Sequence, residues 1–133
     1  MFIERYLYME KENVVIIGAS NRPERYSYQA LKLLTEHGHT CLPVHPEHPE
    51  IDGVKCFKDL KVIKQSAVKI HTVTVYVNPS ISTGLAKDLL SLKPNRIIFN
   101  PGSENPVLAE TLNKNGIATE NACTLVLLKT GQF

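Results

Sequence analysis

The residues best suited to chemistry in this chain are the short polar stretches Gly18-Ala19-Ser20-Asn21-Arg22, His45-Pro46, Asn78-Pro79-Ser80, Asn100-Pro101-Gly102-Ser103 and Asn121-Ala122-Cys123. They are small, polar or turn-forming, and nearly free of acidic residues. A glycine-led turn that runs into a helix leaves backbone N–H groups unpaired, and the helix dipole adds positive potential there. Phosphate or pyrophosphate is the natural ligand of such a corner. Arg22 and Arg25 stand close enough in sequence to add charge.

Other chemistries fit less well. Gly18 takes the first place of a G-x-G-x-x-G fingerprint, but Ser20 and Pro23 take the second and third. The acidic residue that would hold an NAD ribose is missing near His45, which disfavours NAD more than another phosphate ligand. A nucleophile elbow, G-x-S-x-G, would need glycine where Arg22 stands, so Ser20 reads as a phosphate-binding hydroxyl or a helix cap. His37 with His39, and His45 with His48, lie in turns with no third ligand at metal spacing, and read as loop histidines. Cys123 near a helix start could be a stabilised thiolate, or a small residue buried under the last helix. Lys61, Lys64 and Lys69 read as a solvated face.

Alternating strands and helices must position these stretches. Val14-Val15-Ile16-Ile17 is a β-branched apolar run, as in a strand buried on both faces of a parallel sheet. Tyr26 to His37 carries Ala30, Leu31 and Leu34 at helical spacing, with Gly38 as a stop. Thr40 to Val44 is the next strand. From His45 to Lys69 the pattern is irregular, with a short edge strand at Val54–Phe57 and a helical turn or two from Asp59 to Gln65. Ile70 to Val77 alternates as a strand, and Asn78-Pro79-Ser80 starts a helix that continues through Ile81, Leu85, Ala86, Leu89 and Leu90. Arg96–Phe99 is a strand, Pro106–Lys114 a helix capped by Asn105, Ile117–Glu120 the last strand, and Cys123–Lys129 a final helix. This order predicts a single Rossmann-like, doubly wound α/β domain, its sheet mostly parallel with helices on both faces.

The bulk numbers agree with one such domain. The chain has 133 residues, 43% hydrophobic and 21% charged, with a net charge of +2. No basic run or aromatic-interleaved stripe points to nucleic acid. Three cysteines without a C-x-x-C pair argue against a disulfide framework and for a reducing compartment. Residues 1–12, MFIERYLYMEKE, are too charged for a signal-peptide core, and no apolar stretch approaches membrane-spanning length. The expected location is the cytoplasm, with 1–12 an N-terminal extension and 13–133 the domain.

The stretches VVIIGASNRPERYSYQALKLLTEHGH, TVTVYVNPS, SLKPNRIIFNPGSENP and NGIATENACTLVLLKTGQF resemble the small stand-alone CoA-binding proteins. These are related to the N-terminal CoA-binding domain of the succinyl-CoA synthetase α subunit. The resemblance runs from about Asn13 to Phe133, with its motifs in order. It implies a domain that accepts coenzyme A or an acyl-CoA, a small-molecule nucleotide ligand. The matching contact positions are Gly18, Ala19, Ser20, Asn21 and Arg22; His45 and Pro46; Val77, Asn78 and Pro79; and Asn100, Pro101, Gly102 and Ser103. The synthetase turn is richer in glycine, and its lysine after the second strand has no counterpart among His45, Pro46 and Glu47. The synthetase's phosphorylated histidine belongs to a further domain, so none of the five histidines here inherits its role.

The leading expectation is therefore a CoA-binding module without catalytic machinery. The alternatives are an NAD(P)- or CoA-dependent small enzyme using Cys123, and a regulatory or interaction subunit with a degenerate nucleotide site. A homo-oligomer or a partner protein stays open; nucleic acid and membrane are not expected partners.

Overall fold

The computed structural model describes residues 11–133. Its five-stranded sheet is built from β1 (Asn13–Ile17), β2 (Thr40–Val44), β5 (Thr72–Val75), β6 (Arg96–Phe99) and β7 (Ala118–Asn121), in the order β2-β1-β5-β6-β7. Every neighbouring pair is parallel. Between β2 and β5 a two-stranded antiparallel hairpin forms from β3 (Glu50–Ile51) and β4 (Val54–Lys55).

The helices are α1 (Tyr26–Glu36), α2 (Leu60–Gln65), α3 (Pro79–Ser82), α4 (Ala86–Leu92), α5 (Pro106–Lys114) and α6 (Thr124–Lys129). The pleat of β1 divides the core between the two sheet faces. Val15 and Ile17 join Ile63 of α2, Leu89 of α4 and Leu112 of α5. Val14 and Ile16 join Leu31 and Leu34 of α1 and Leu128 of α6. Ile97, Ile98 and Phe99 are fully buried, each side chain contributing about 1.5–3 kcal/mol. The sheet is thus covered by helices on both faces, which the unbroken apolar runs of β1 and β6 require.

The outer side of β2 is closed by a single residue. Phe57 bridges to Val44 in parallel; its N–H donates to the Pro43 carbonyl at 2.8 Å and its carbonyl accepts from His45 N–H at 2.9 Å. Counting that bridge as a strand one residue long, the spatial order is that of the six-stranded dinucleotide-binding sheet. It also explains a proline inside β2. Pro43 turns its carbonyl outward to Phe57, so the N–H it lacks would have faced that edge rather than β1.

Three local expectations need correction. The strand expected over Ile70–Val77 is regular only at Thr72–Val75. The single helix expected after Asn78 is broken into α3, a 3₁₀ turn at Thr83–Leu85, and α4. The break falls where Asn105 Nδ2 donates to Ser82 Oγ at 2.8 Å and Thr83 Oγ1 at 3.0 Å, next to Gly84, a poor helix former. The edge strand expected at Val54–Phe57 is instead the hairpin plus the Phe57 bridge.

Of the segment set apart at 1–12, positions 1–10 lie outside the described residues. Glu12 is built into the body of the domain: its carboxylate accepts from Thr72 Oγ1 at 2.9 Å and lies 2.7 Å from His71 Nδ1. Among the described residues no helix is long and apolar enough to cross a membrane.

Candidate functional site

The topology fixes where a ligand site belongs. From β1 the chain runs first to β2 on one side, then returns to β5 on the other, so the β1–β5 border is the switch point. Crevices form beyond the carboxyl ends of strands at such a border. Gly18 ends β1 there with φ +85°, and a Cβ on it would lie 2.9 Å from Val77 Cγ1 and 3.1 Å from the Tyr76 carbonyl carbon. Only glycine lets the first turn lie directly against the end of β5.

A cleft of about 460 Å³ opens at this point. Of the residues singled out in the sequence, Gly18, Ser20, Arg22, Pro101 and Ser103 line it. Arg25, expected to add charge there, lines it too, and the structure adds Glu24, Tyr26, Ser27 and Tyr76. The turn from β1 and the loop after β6 thus face each other across the start of α1.

That helix start is the principal electrostatic feature. α1 begins at Tyr26, so the amides of the first turn and those of the helix are separate parts of the cleft wall. Its N-cap is Arg25, no side chain caps it, and its first turn holds no acidic residue. By contrast Asp59 caps α2, Asn78 caps α3 and Asn105 caps α5 through side-chain oxygens. A guanidinium at the positive end of a helix is locally unfavourable, and an anion placed there relieves both. Ser27, in the first turn, is only 4% exposed and lines the cleft. The uncapped helix could have been read from Arg25 standing where Ser, Thr, Asp or Asn is usual.

The other polar groups of the cleft are partly engaged. Ser20 Oγ accepts from the Arg22 N–H at 3.1 Å, which shapes the turn. Arg22 Nε lies 2.8 Å from Glu24 Oε1, both side chains well exposed. A hydrogen bond to its own backbone, opposed by burial and reinforced by Arg22 and then Arg25, holds the Glu24 carboxyl below its usual range. The Tyr76 hydroxyl is buried without a hydrogen-bond partner among the described residues, and burial pushes its pKa up to about 12. It therefore stays protonated at neutral pH.

The remaining singled-out residues sit outside the cleft wall. Ala19 is buried in the core beside α1, and Asn21 is exposed. Asn100 lies beneath the cleft, 2% exposed, with its amide fully occupied. Its Nδ2 donates to Thr74 Oγ1 at 2.7 Å and the Val75 carbonyl at 3.0 Å, while Oδ1 accepts from Thr124 N–H at 2.9 Å. It staples β5, β6 and α6 together. Gly102, at φ +90°, donates its N–H to Glu104 Oε1 at 2.8 Å.

Val77 packs on the core, while Asn78 and Pro79 form the start of α3, where Asn78 accepts from Ile81 N–H and from Ser80 Oγ. His45 and Pro46 follow β2, and His45 Nδ1 accepts from the amides of Glu47 and His48, each at 3.0 Å. Its ring stacks on His48 with centroids 4.0 Å apart. Burial, and then His48, pull the His45 pKa below 6.5. Cys123 is half-buried at the N-cap of α6, and it too stands apart from the cleft lining. Among the described residues no cluster of three or more His, Cys, Asp or Glu could hold a metal ion.

The doubly wound sheet, with its cleft at the switch point, defines a Rossmann-like α/β domain. The chain belongs to the CoA binding domain family, whose sequence profile matches residues 12–129. The family that the sequence resembles is thus the one to which it belongs.

Individual relatives agree in fold and extent. The uncharacterized protein YneT of Bacillus subtilis (strain 168) is 29% identical over 105 residues, 79% of this chain and 76% of that protein. The alpha subunit of ADP-forming acetate–CoA ligase II of Pyrococcus furiosus is 35% identical over 57 residues, 42% of this chain but 12% of the subunit. A crystal structure of an uncharacterized protein, 38% identical, superposes with a TM-score of 0.85 over 94% of this chain and 100% of that one. The dinucleotide-forming acetyl-coenzyme A synthetase 1 of Ca. Korarchaeum cryptofilum, solved with phosphate and ADP, shares the fold. Its TM-score is 0.70 at 18% identity, over 89% of this chain and 27% of the synthetase.

Proposed function

We propose that this chain is a cytoplasmic binding module for coenzyme A or an acyl-CoA, and that the diphosphate sits in the cleft at the start of α1. One observation carries the reading. The positive end of an eleven-residue helix is left uncapped, with no acidic residue in its first turn, and Arg22, Arg25 and Ser27 line the cleft beside it. Helix-start amides, guanidinium groups and a hydroxyl are the donors that a diphosphate engages together. Membership of the CoA binding domain family supports the choice of ligand. The protonated Tyr76 and the absence of Cys123 from the cleft wall favour binding over thiol chemistry. Three free cysteines are in keeping with a reducing compartment.

The test is a thermal-shift and calorimetric panel of CoA, acetyl-CoA, NAD⁺, NADP⁺, ATP and ADP. CoA at a hundred times its dissociation constant adds about 2.7 kcal/mol of stability. The double variant Arg22→Glu/Arg25→Glu keeps its circular dichroism and loses the shift; Ser27→Ala weakens it. A wild-type protein blind to CoA, or a double variant that binds it as well as wild type, refutes the proposal.

A further inference from the structure

The cleft has one feature that a phosphate does not use. Tyr26 lines it and is 70% exposed, the only aromatic residue in the exposed class among the described residues. Tyr28, Tyr76, Phe57 and Phe133 are half-buried and Phe99 is fully buried. Among the described residues the Tyr26 ring makes no aromatic or cation–π contact; those formed involve His39, His45, His48, Phe57 and Phe133. The first residue of α1 therefore supplies a backbone amide at the helix start and holds a free π-face at the rim of the same cleft. The rest of the wall is small or charged, apart from Tyr76, whose hydroxyl end is buried.

Resting on the reading that a diphosphate occupies the start of α1, we infer that Tyr26 is the stacking platform for the nucleobase of the ligand. A nucleoside diphosphate carries its base one ribose away from the phosphates, which suits a ring on the same helical turn as the phosphate donors. Aromatic faces interleaved with arginines are the standard means of holding a nucleotide without reading its edges, because every base has a π-face. The platform confers preference for nucleotides over bare phosphates and little preference among bases. Exposing a tyrosine ring otherwise forgoes the stabilisation of burying it.

The experiment compares ADP with inorganic pyrophosphate on the wild-type protein and on Tyr26→Ala and Tyr26→Phe by calorimetry. The wild type binds ADP more tightly than pyrophosphate by roughly 5- to 150-fold, the range of one stacked base. Tyr26→Ala brings that ratio close to one while its pyrophosphate affinity is unchanged, and Tyr26→Phe keeps the wild-type ratio. In NMR spectra the Tyr26 ring protons move upfield with ADP and stay in place with pyrophosphate, a readout that needs no variant. If Tyr26→Ala keeps the ADP preference, or the ring protons do not move, the platform is wrong while the phosphate site stands. If neither ligand binds the wild type, the phosphate reading fails and the platform with it.

Discussion

Replacing Gly18 with alanine tests how the cleft is built, and Gly102 supplies the control. Both glycines sit at left-handed dihedrals, φ +85° and +90°. An alanine in that region costs about 1–2 kcal/mol at either place. The surroundings differ. A Cβ on Gly18 would meet Val77 Cγ1 at 2.9 Å and the Tyr76 backbone at 3.1 and 3.2 Å, whereas a Cβ on Gly102 meets nothing within 4 Å. Val77 can turn a methyl aside, but the Tyr76 peptide is anchored by its N–H to the Ile17 carbonyl at 2.9 Å. Overpacking of this kind adds about 1–3 kcal/mol.

Gly18→Ala should therefore lose about 2–5 kcal/mol and Gly102→Ala about 1–2 kcal/mol. At roughly 4 °C per kcal/mol these are falls in Tm of about 8–20 °C and 4–8 °C. Urea unfolding followed by circular dichroism, with unchanged m values, measures the difference. Equal losses at the two positions would refute the argument that contact with the end of β5 is what demands glycine at position 18.

Asn100→Ala empties a buried position that serves three hydrogen bonds, and denaturant unfolding should show a loss of about 3 kcal/mol or more. Burial lowers the pKa of both His45 and His39, so the unfolded chain takes up those protons first. The associated stability is complete above pH ~6.5 and is lost as pH falls through the folded-state values. His45→Asn keeps an acceptor for the Glu47 and His48 amides without a titrating ring, so its Tm should fall less than that of wild type between pH ~7 and ~5, with His39 supplying the remaining slope. A thiol reagent at mildly alkaline pH should modify Cys123 first. Cys56 is buried with its pKa raised, and burial pushes the Cys41 thiol up to about 11, which mass spectrometry of the labelled peptides can check.

The sheet was legible wherever a strand was a continuous apolar run. Thr40–Val44 and Arg96–Phe99 coincide with their expected spans, and so does the helix Pro106–Lys114 behind its Asn105 cap. The stretch between β2 and β5 was not, because its order comes from tertiary pairing of Phe57 with Pro43 and His45 rather than from any local period. The broken helix after Asn78 was hidden for the same reason: its apolar spacing is helical throughout, and the interruption involves Asn105, more than twenty positions away.

Half the cleft could be read from strand ends, since a parallel sheet puts Gly18, Ser20, Arg22, Pro101 and Ser103 at one rim. The same rule also collected Asn78, Asn100 and His45, whose side chains bond to local backbone or staple strands instead. Small polar residues at a strand end suit both tasks, and composition does not separate them. Tyr76 was missed although its parity was visible. Thr72 and Thr74 of β5 alternate with Tyr76 just beyond its end, and the three share the sheet face of α1 and α6.

The lone Phe57 bridge has a bearing on how this sheet could be extended. It and the β3–β4 hairpin lie along one margin, so a strand offered by a neighbouring molecule would find its ladder groups at Pro43 and His45 already taken. Growth is left to the opposite margin, Ala118–Asn121, which is four residues long and carries Thr119, Glu120 and Asn121. Short, polar and partly acidic, that border resists indiscriminate pairing, so the architecture guards both flanks against fibrillar association, one by occupation and the other by composition.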